Sequence, residues 1–207
     1  MRIIHSDACI AEGAAHLAAV EPRFAMALDT VGTLPLRRRK DGFAALVDAI
    51  VSQQVSVAAA DAIYGRLKDA NLIGPRKIMW ATDEDLRACG LSRQKIRYVR
   101  ALAEARIDFK ALRSAPTEQV IAELTAVSGI GVWTAEIYAM FSLGHADVFA
   151  PGDLALQESA RILFDLNERP REKAFRTLAE PWSPWRSVAA RLLWAYYHVA
   201  KDREGIR

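Results

Sequence analysis

Apolar residues recur along this chain at intervals of three and four, the spacing that places them on one face of an α-helix. Ala, Leu, Arg and Glu dominate, and stretches of alternating apolar and polar residues typical of strands are missing. The pattern predicts helices over residues 11–28, 42–69, 82–88, 92–106, 117–126, 132–142, 153–166, 170–180 and 184–201. Because no strand is predicted, the expected fold class is all-α.

Residues with special backbone preferences mark several helix ends. Asp41 is predicted to cap the helix over 42–69, and Gly74 with the proline after it ends that helix. A Gly-Ile-Gly segment at 129–131 predicts a sharp turn between two helices. These two helices and the turn form a predicted helix-hairpin-helix unit at about 117–142.

Length and composition describe a globular protein. The chain has 207 residues, of which 52% are apolar and 26% are charged. This is enough apolar material for a sizeable core, and it excludes a disordered chain. The length suits one large domain or two small lobes. No apolar run approaches the roughly 18 residues of a membrane span, and the N-terminus does not resemble a signal peptide, so no membrane partner is expected.

Net charge and cysteine content exclude some metal sites but leave most binding partners possible. A net charge of +3 permits a polyanionic partner without requiring one. Two cysteines, Cys9 and Cys89, are too few for a four-cysteine zinc site or an iron–sulfur cluster. They do not suggest a disulfide scaffold, so we expect a reducing, cytoplasmic compartment. The four histidines are scattered without metal-ligand spacing.

The glycine turn at 129–131 is the first candidate for chemistry. Glycines let backbone N–H groups approach a phosphate without interference from a Cβ, and the helix that follows adds its positive N-terminus. Such a contact positions DNA without reading its sequence. An ordinary turn between two helices is the alternative, which the glycines alone leave open.

Asp153 is the second candidate, because it follows a Pro-Gly break and opens the next predicted helix. Asp is a common N-cap residue, so its carboxylate can serve only to cap this helix. Alternatively, the carboxylate projects into a cleft and stabilises developing positive charge. A carboxylate engaged in capping is less available to a substrate, so the two interpretations are compatible only in part.

Aromatic and basic residues are each concentrated in parts of the chain. The aromatic set comprises Trp133, Trp182, Trp185, Trp194, Tyr196 and Tyr197. Core packing is the expected role of Trp182 and Trp185, but an aromatic face can also stack on a flipped base. Basic residues are dense at 37–40 and 93–113, as expected for a solvated face or for phosphate binding.

Taken in order, these motifs resemble the helix-hairpin-helix superfamily of DNA base-excision glycosylases. The hairpin at 129–135 and the loop at 148–153, which ends in an aspartate, match its general signature. Three further segments are similar to the alkylated-base branch, the DNA-3-methyladenine glycosylase II branch. They are residues 50–56, residues 90–92 with Lys95, and residues 184–187. The similarity covers roughly residues 40–200.

The resemblance implies a two-lobed helix-hairpin-helix glycosylase fold, with residues 1–207 as a single domain and the active cleft between the lobes. It implies that Asp153 is the catalytic residue and that Gln54 wedges into the gap left by a flipped nucleotide. The implied substrate pocket comprises Trp133, Ile137, Leu154 and Trp194. The implied DNA-binding residues are Gln53, Gln54, Lys95, Gly129, Gly131 and Thr134.

One departure from other branches implies a monofunctional glycosylase, and further departures concern the iron–sulfur cluster and the pocket. Trp133 falls where lyase-type relatives carry a Schiff-base lysine, and tryptophan cannot form that adduct. Relatives with an iron–sulfur cluster need four cysteines. Ile137 and Leu154 stand where relatives can have tyrosines, which implies a wider or less stacking-rich pocket. We therefore expect an enzyme that removes the base and leaves an abasic site without cutting the strand.

The implied substrates are 3-methyladenine and 7-methylguanine in double-stranded DNA, removed in base-excision repair. Alkylation at N3 of adenine or N7 of guanine makes the base a cation, so it leaves as a neutral molecule without a general acid. One carboxylate then suffices to stabilise the oxocarbenium-like sugar. Flipping is cheapest at a damaged pair, which itself gives selectivity.

The resemblance also bears on cofactors and partners. No cofactor is expected, apart from a structural Na⁺ or K⁺ that hairpin carbonyls hold in related structures. The matching positions here are Thr125, Val127 and Ile130. The expected partner is double-stranded DNA containing alkylated bases, and we expect a monomer in the bacterial cytosol or nucleoid.

Three other functions stay open. A glycosylase for oxidised or mismatched bases is disfavoured, since position 133 is not lysine and cluster cysteines are missing. A non-catalytic helix-hairpin-helix module that binds DNA would show no dependence on Asp153. A helical regulator would need a recognition helix with polar base-reading residues, and none is recognisable.

Overall fold

The fold is all-α, as predicted. A computed structural model describes residues 1–203. The α-helices are α1 (Asp7–Val20), α2 (Pro22–Val31), α3 (Phe43–Val51), α4 (Val57–Asp69), α5 (Pro75–Trp80), α6 (Asp83–Ala88), α7 (Arg93–Glu104), α8 (Phe109–Leu112), α9 (Thr117–Thr125), α10 (Val132–Ile137), α11 (Leu154–Leu163), α12 (Glu172–Leu178) and α13 (Arg186–Arg203). The described residues form no strand, only an isolated antiparallel bridge between Ile3 and His145. Within this part of the chain, no helix is long and apolar enough to cross a membrane.

The single helix predicted over 11–28 is wrong, because two helices occupy this segment. α1 ends at Val20, and α2 begins at Pro22. Proline is favoured in the first turn of a helix, where its missing N–H is not needed. The Glu21 side chain caps α2 by accepting a hydrogen bond from the Arg23 N–H at 3.0 Å.

The long helix predicted over 42–69 is also wrong. A turn at residues 52–56 separates α3 from α4, and Gln54 in this turn has a φ of +57°. A helix cannot pass through that left-handed conformation. Ser56 then caps α4, and its hydroxyl accepts a hydrogen bond from Ala59 N at 3.3 Å.

Asp41 does not cap α3, contrary to the prediction. Gly42 is the N-cap residue, and it makes no side-chain cap. The Asp41 carboxylate instead accepts two hydrogen bonds from the Arg113 guanidinium, at 2.5 and 3.1 Å. This bidentate pair ties the start of α3 to the segment that follows α8.

Two further elements differ from the prediction. The proline in the predicted break after Gly74 starts the short helix α5, again as the first helical residue. The helix predicted over 132–142 is α-helical only in α10, and it continues as a π-helix, Tyr138–Leu143. Such wider turns are rare and occur frequently at functional sites.

Contacts divide the chain into two compact units. The central unit comprises Arg39–Tyr138, and α7 packs there against α3, α5 and α6. Its apolar face includes fully or almost fully buried residues of α3 and α7, namely Leu46, Val47, Ile50, Ile96, Val99 and Leu102. The α9–turn–α10 hairpin belongs to this unit, which fixes it to the same core.

The terminal unit comprises Met1–Arg38 together with the chain from Ala139 onward. Here α13 packs against α1, α2 and α11. Four aromatic rings pack edge-to-face or stacked against Trp182, namely Phe24, Phe149, Phe164 and Phe175. The predicted core roles of Trp182 and Trp185 are confirmed, since both are buried. The arrangement of two lobes around a cleft stays a prediction.

Candidate functional site

Asp153 lies at the start of α11, where a tight turn delivers it. The Asp153 N–H donates to Ala150 O at 3.0 Å, which closes the turn over the Pro-Gly break. Its side-chain Oδ1 accepts a hydrogen bond from Leu156 N at 3.0 Å. The N-cap interpretation is therefore confirmed as a matter of geometry, and the cap fixes the direction of the carboxylate.

The same carboxylate oxygen has a second donor. Trp194 on α13 donates its indole Nε1–H to Asp153 Oδ1 at 3.2 Å. The two hydrogen bonds reach the same oxygen from the helix backbone and from an indole, so together they orient the carboxylate. The terminal unit thus presents an oriented carboxylate beside a tryptophan, with Leu154 next to it 64% exposed.

Trp194 is in turn held by residues that the sequence did not identify. Phe141, from the π-helix, lies with its ring centroid 5.7 Å from that of Trp194. The Arg191 guanidinium carbon lies 4.7 Å from the centroid of the Phe141 ring. Arg191 is almost fully buried and donates to the backbone oxygens of Leu36 and Ser187.

Burial acts strongly on Arg191. Desolvation, followed by the charges of Arg37 and Arg38, lowers the pKa of Arg191 to about 10. The guanidinium stays charged at neutral pH, and its cation–π contact supports the aromatic pair. In sequence, Arg191 interrupts an apolar stretch of α13, which was the only available signal of its role.

An ion pair anchors the loop that leads to Asp153. Arg186, at the start of α13, donates to both carboxylate oxygens of Asp147 at 2.6 and 2.9 Å, and Ser183 Oγ donates to the same carboxylate at 2.9 Å. Burial raises the pKa of Asp147, but these hydrogen bonds and the charge of Arg186 together lower it below its ordinary value.

Two further side chains fix the path of this loop. The Ser187 hydroxyl is fully buried and lies 2.5 Å from His145 O and 3.0 Å from Val148 O. Gln157 Nε2 donates to Pro151 O at 2.8 Å, just before Asp153. Because the loop is tied at several points, the position of Asp153 is set by the body of the terminal unit.

The hairpin of the central unit has two glycines in different environments. Gly129 has a φ of +94°, and a Cβ added there would lie 2.2 Å from Cγ of Tyr98. Gly131, the N-cap of α10, has a φ of −85°, and a Cβ added there would meet nothing within 4 Å. Gly129 is therefore required by the fold, whereas Gly131 leaves open space in front of the helix N-terminus.

The Gln53 and Lys95 side chains bind backbone oxygens of their own unit. Gln53 Nε2 donates to Gly129 O at 2.9 Å, and Lys95 Nζ donates to Val51 O at 2.6 Å. Burial lowers the pKa of Lys95. Gln54, by contrast, is exposed at the tip of its turn. The predicted DNA-binding roles of the three residues stay predictions.

A cavity of about 340 Å³ opens beside this turn. Its walls offer amide, hydroxyl, phenol and ammonium groups, which can both donate and accept hydrogen bonds. The lining residues are Gln53, Gln54, Val55, Ile63, Gly90, Ser92, Gln94, Lys95 and Tyr98.

The other predicted residues of the central unit differ in exposure. Trp133 is 47% exposed, Ile137 is half-buried, and Thr134 is buried in the first turn of α10. Within the basic segment 93–113, Arg100 donates to Ile78 O, Ala81 O and Asp83. The remaining basic side chains on the surface of this segment include Arg93, Arg97, Arg106 and Lys110.

The described residues contain no group of three or more His, Cys, Asp or Glu that could hold a metal ion. The ligands predicted at the hairpin are backbone carbonyl oxygens, which carry no net charge. Such hard, uncharged ligands suit an alkali cation better than a transition metal. The three predicted positions lie at the end of α9 and in the turn, where Val127 O accepts a hydrogen bond from Ile130 N at 3.1 Å.

The glycine turn between α9 and α10 in an all-α fold defines the class of helix-hairpin-helix proteins. Comparison with known proteins gives the family. The description "HhH-GPD superfamily base excision DNA repair protein" matches residues 47–184, and the chain belongs to this superfamily.

Relatives and solved structures that match most of this chain are named as 3-methyladenine glycosylases or glycosidases. DNA-3-methyladenine glycosylase 1 of Schizosaccharomyces pombe is 30% identical over 204 residues, covering 93% of this chain and 90% of the relative. The crystal structure of a DNA-3-methyladenine glycosidase from Bacillus halodurans has a TM-score of 0.84 and 34% identity, covering 98% of this chain and 95% of that one. The S. pombe 3-methyladenine DNA glycosylase Mag1, in complex with abasic DNA, has a TM-score of 0.77 and 31% identity, covering 88% and 95%.

Proposed function

We propose that this protein is a monofunctional DNA glycosylase of base-excision repair that removes alkylated bases, 3-methyladenine and 7-methylguanine, from double-stranded DNA. The observation that carries the proposal is the Asp153 carboxylate, which Leu156 N and the Trp194 indole orient from two sides. Relatives that match most of the chain are named DNA-3-methyladenine glycosylases, in support of this substrate class.

The reaction needs only one carboxylate. An alkylated purine carries a positive charge, and when the bond from C1′ to the base nitrogen breaks, its electron pair leaves with the base and neutralises it. Positive charge develops on the sugar, where the negative charge of Asp153 stabilises it. A water oxygen then bonds to C1′ and releases a proton to solvent, which leaves an abasic site.

The residues near the carboxylate suit a large, flat, cationic substrate. Trp194 presents an indole ring beside Asp153, and an aromatic face attracts a cation with about 0.5–2 kcal/mol. Leu154, next to Asp153, exposes apolar surface that a flipped base would cover. We assign Trp194 and Leu154 to the base pocket, and the pocket roles of Trp133 and Ile137 stay predictions from the resemblance.

Position 133 also supports the monofunctional assignment. A lyase reaction requires an amine that attacks C1′ and forms an imine. Tryptophan has no such amine, so cleavage of the strand is not part of the proposed reaction. The backbone break would then appear only when the abasic product is treated with alkali.

We assign DNA binding to the hairpin and the elements attached to it. Gly131 stands at the open N-terminal end of α10, where a phosphate can approach backbone N–H groups. Gln54 has an exposed side chain on a turn with a defined left-handed backbone, as expected of a wedge. Thr134 lies in the same turn of α10, and Lys95 contributes positive charge near the Gln54 turn.

Two parts of the proposal concern the state of the working protein. A Na⁺ or K⁺ ion held by the carbonyl oxygens of Thr125, Val127 and Ile130 would add positive charge at the hairpin and take no part in bond cleavage. We also propose that the protein acts as a monomer on DNA in the bacterial cytoplasm.

The proposal is tested by incubating the protein with methylated duplex DNA and identifying the released bases by chromatography. We expect 3-methyladenine and 7-methylguanine, intact strands until alkali is added, and no protein–DNA adduct in the presence of borohydride. DNA binding without base release would instead identify a non-catalytic module. A borohydride adduct would show lyase chemistry by one of the lysines.

A further inference from the structure

The turn that carries Gln54 is held in an unfavourable conformation. Residues 52–56 join α3 to α4, and Gln54 lies in the left-handed region with its side chain exposed. A residue other than glycine keeps this conformation only where surrounding contacts impose it. The contacts on either side of Gln54 therefore decide how its side chain is presented.

The first contact lies at the base of the turn. Lys95 Nζ donates to the carbonyl oxygen of Val51, the last residue of α3, at 2.6 Å. Val51 is fully buried, so this hydrogen bond joins the end of α3 to α7 inside the unit. Lys95 thus fixes the point from which the turn departs.

The second contact lies inside the turn and reaches the hairpin. Gln53 Nε2 donates to Gly129 O at 2.9 Å, across 76 residues of sequence. Gly129 packs directly on the Tyr98 ring, and Gln94 Nε2 donates to the Tyr98 hydroxyl at 2.6 Å. The carbonyl that Gln53 binds is therefore itself held in place by α7.

These contacts connect four parts of the central unit. Lys95 joins α7 to the end of α3, Gln53 joins the Gln54 turn to the hairpin, and Tyr98 of α7 packs on the hairpin. The Gln53 amide joins the hairpin to the turn directly, so a displacement of the hairpin can be passed to the turn through this hydrogen bond. The amide can be removed without changing the backbone or charge of either element.

We propose that Gln53 is a positioning residue that couples the hairpin to the Gln54 turn, so that phosphate binding at the hairpin favours insertion of Gln54 into the duplex. The inference rests on the proposed function, which assigns those two roles to Gly131 and Gln54. Gln53 acts through Gly129 and its neighbour Gln54, and it needs no contact of its own with DNA.

The test measures insertion separately from excision. A duplex carries a stable abasic analogue with 2-aminopurine beside it, whose fluorescence rises when a side chain enters the gap and unstacks the base. Gln53→Met keeps the side-chain length and removes the donor. We expect its insertion equilibrium to fall about three- to tenfold, the effect of one lost hydrogen bond, with the Kd for undamaged duplex changed less than about twofold. The matched control is Gln119→Met, an exposed glutamine on α9, which should behave as the wild type.

A double-mutant cycle tests the coupling itself. Gly131→Val places a side chain in open space, so it obstructs DNA and spares the fold. In the wild-type background it should weaken both binding and insertion. In the Gln53→Met background it should weaken insertion much less, because the hairpin no longer acts on the turn.

The Gln53→Glu variant adds a pH-dependent measurement, whose result depends on the hydrogen bond to Gly129 O and not only on the shape of the side chain. An ionised carboxylate cannot donate to Gly129 O, whereas a protonated one can. The insertion defect of this variant should therefore shrink as the pH falls from about 7 to about 4, below the ordinary glutamate pKa of about 4.3. The wild-type protein should show no such recovery.

Each outcome decides the inference. Additive effects in the cycle, a pH-independent Gln53→Glu defect, or a Gln53→Met variant that inserts normally would overturn it. An equal loss of affinity for undamaged DNA in Gln53→Met would also overturn it, in favour of direct contact. The proposed function fails separately, if the wild-type protein inserts Gln54 but releases no base from alkylated DNA.

Discussion

The Asp153 carboxylate receives hydrogen bonds from two unrelated sources. One comes from the backbone of its own helix, and the other comes from an indole on α13 that packs against Phe141. The first sets the carboxylate at the helix start, and the second fixes its rotation. At the residue scale, Trp194 thus serves both as a hydrogen-bond donor to Asp153 and as an aromatic partner of Phe141.

Trp194→Phe tests this double role. Phenylalanine keeps the aromatic contact with Phe141 but cannot donate to Asp153. We expect the rate of base release under single-turnover conditions to fall about three- to tenfold, with DNA affinity little changed. Trp80→Phe, at a tryptophan that is 81% exposed on α5, is the control. A Trp194→Phe enzyme as fast as the wild type would show that the indole N–H has no part in catalysis.

The sequence predicted the position of Asp153 at the start of a helix, but it did not predict the residues that surround its carboxylate. The Pro-Gly break and the helix after it are local, so the N-cap followed directly from the pattern. The donor from Trp194 is 41 residues away, and the Phe141 and Arg191 contacts depend on a π-helix and on burial. Contacts of this kind are set by tertiary packing, on which single-sequence patterns carry no information.

At the element scale, the hairpin and the Gln54 turn each end one helix and start the next, and each contains a residue with positive φ. The break before Pro22 had a local signal, because proline favours the first turn of a new helix. The break at residues 52–56 had only the N-cap serine Ser56 as a local signal, and the spacing of apolar residues otherwise continues from α3 through it. Hydrogen bonds from Lys95 to Val51 O and from Gln53 to Gly129 O hold the chain in this turn, and both depend on tertiary packing.

The two hairpin glycines allow a matched test. Gly129→Ala must adopt a positive φ and places its Cβ against Tyr98, so we expect the free energy of unfolding to fall by about 1–3 kcal/mol. Gly131→Ala has an ordinary φ and open space, so it should change that free energy by less than about 0.5 kcal/mol. Denaturant unfolding of both variants provides the comparison. Equal destabilisation would contradict the different environments of the two glycines.

The ion pair between Asp147 and Arg186 gives a pH-dependent prediction at the same scale. Because the pKa of Asp147 is lowered in the folded state, its contribution to stability is present above the unfolded pKa of about 3.9 and is lost as the pH falls through the folded pKa. Asp147→Asn should therefore lower the Tm at neutral pH, and its difference from the wild type should shrink below about pH 4.

The control for this measurement is Asp29→Asn, an exposed aspartate on α2. Its Tm should follow that of the wild type at every pH. A constant difference between Asp147→Asn and the wild type down to pH 2 would mean that the ion pair does not stabilise the loop through its charge.

At the scale of the whole molecule, the charge of +3 is small, so affinity for DNA must come from local groups. Several basic residues of the 93–113 segment are engaged within the protein, since Lys95, Arg100 and Arg113 bind backbone or carboxylate oxygens. The exposed Arg93 and Arg97 on α7 are better placed to meet phosphates. The number of basic residues in the sequence does not distinguish the paired side chains from the exposed ones, because the partners of Lys95, Arg100 and Arg113 are distant in the chain.

Salt dependence tests this division. Each neutralised phosphate contributes about −0.9 to the slope of log K against log salt. The Arg93→Gln, Arg97→Gln double variant should therefore flatten the slope by about one to two units. A variant with the same change in net charge, Arg171→Gln with Lys173→Gln, should leave the slope unchanged. Equal slopes for the two would show that the α7 arginines only solvate the surface.

The central claim is that Asp153 acts on charge that appears only in the transition state. Asp153→Asn tests it most directly, because asparagine also caps helices well and its side-chain oxygen can accept from both Leu156 N and Trp194 Nε1. The variant thus keeps the hydrogen bonds and removes the charge. The measurement is the single-turnover rate of base release from methylated duplex DNA, with the Kd for the same duplex. We predict a rate lower by about 10² or more and a Kd within about threefold of the wild type. Base release at close to the wild-type rate would contradict the account and leave Asp153 as a helix cap alone.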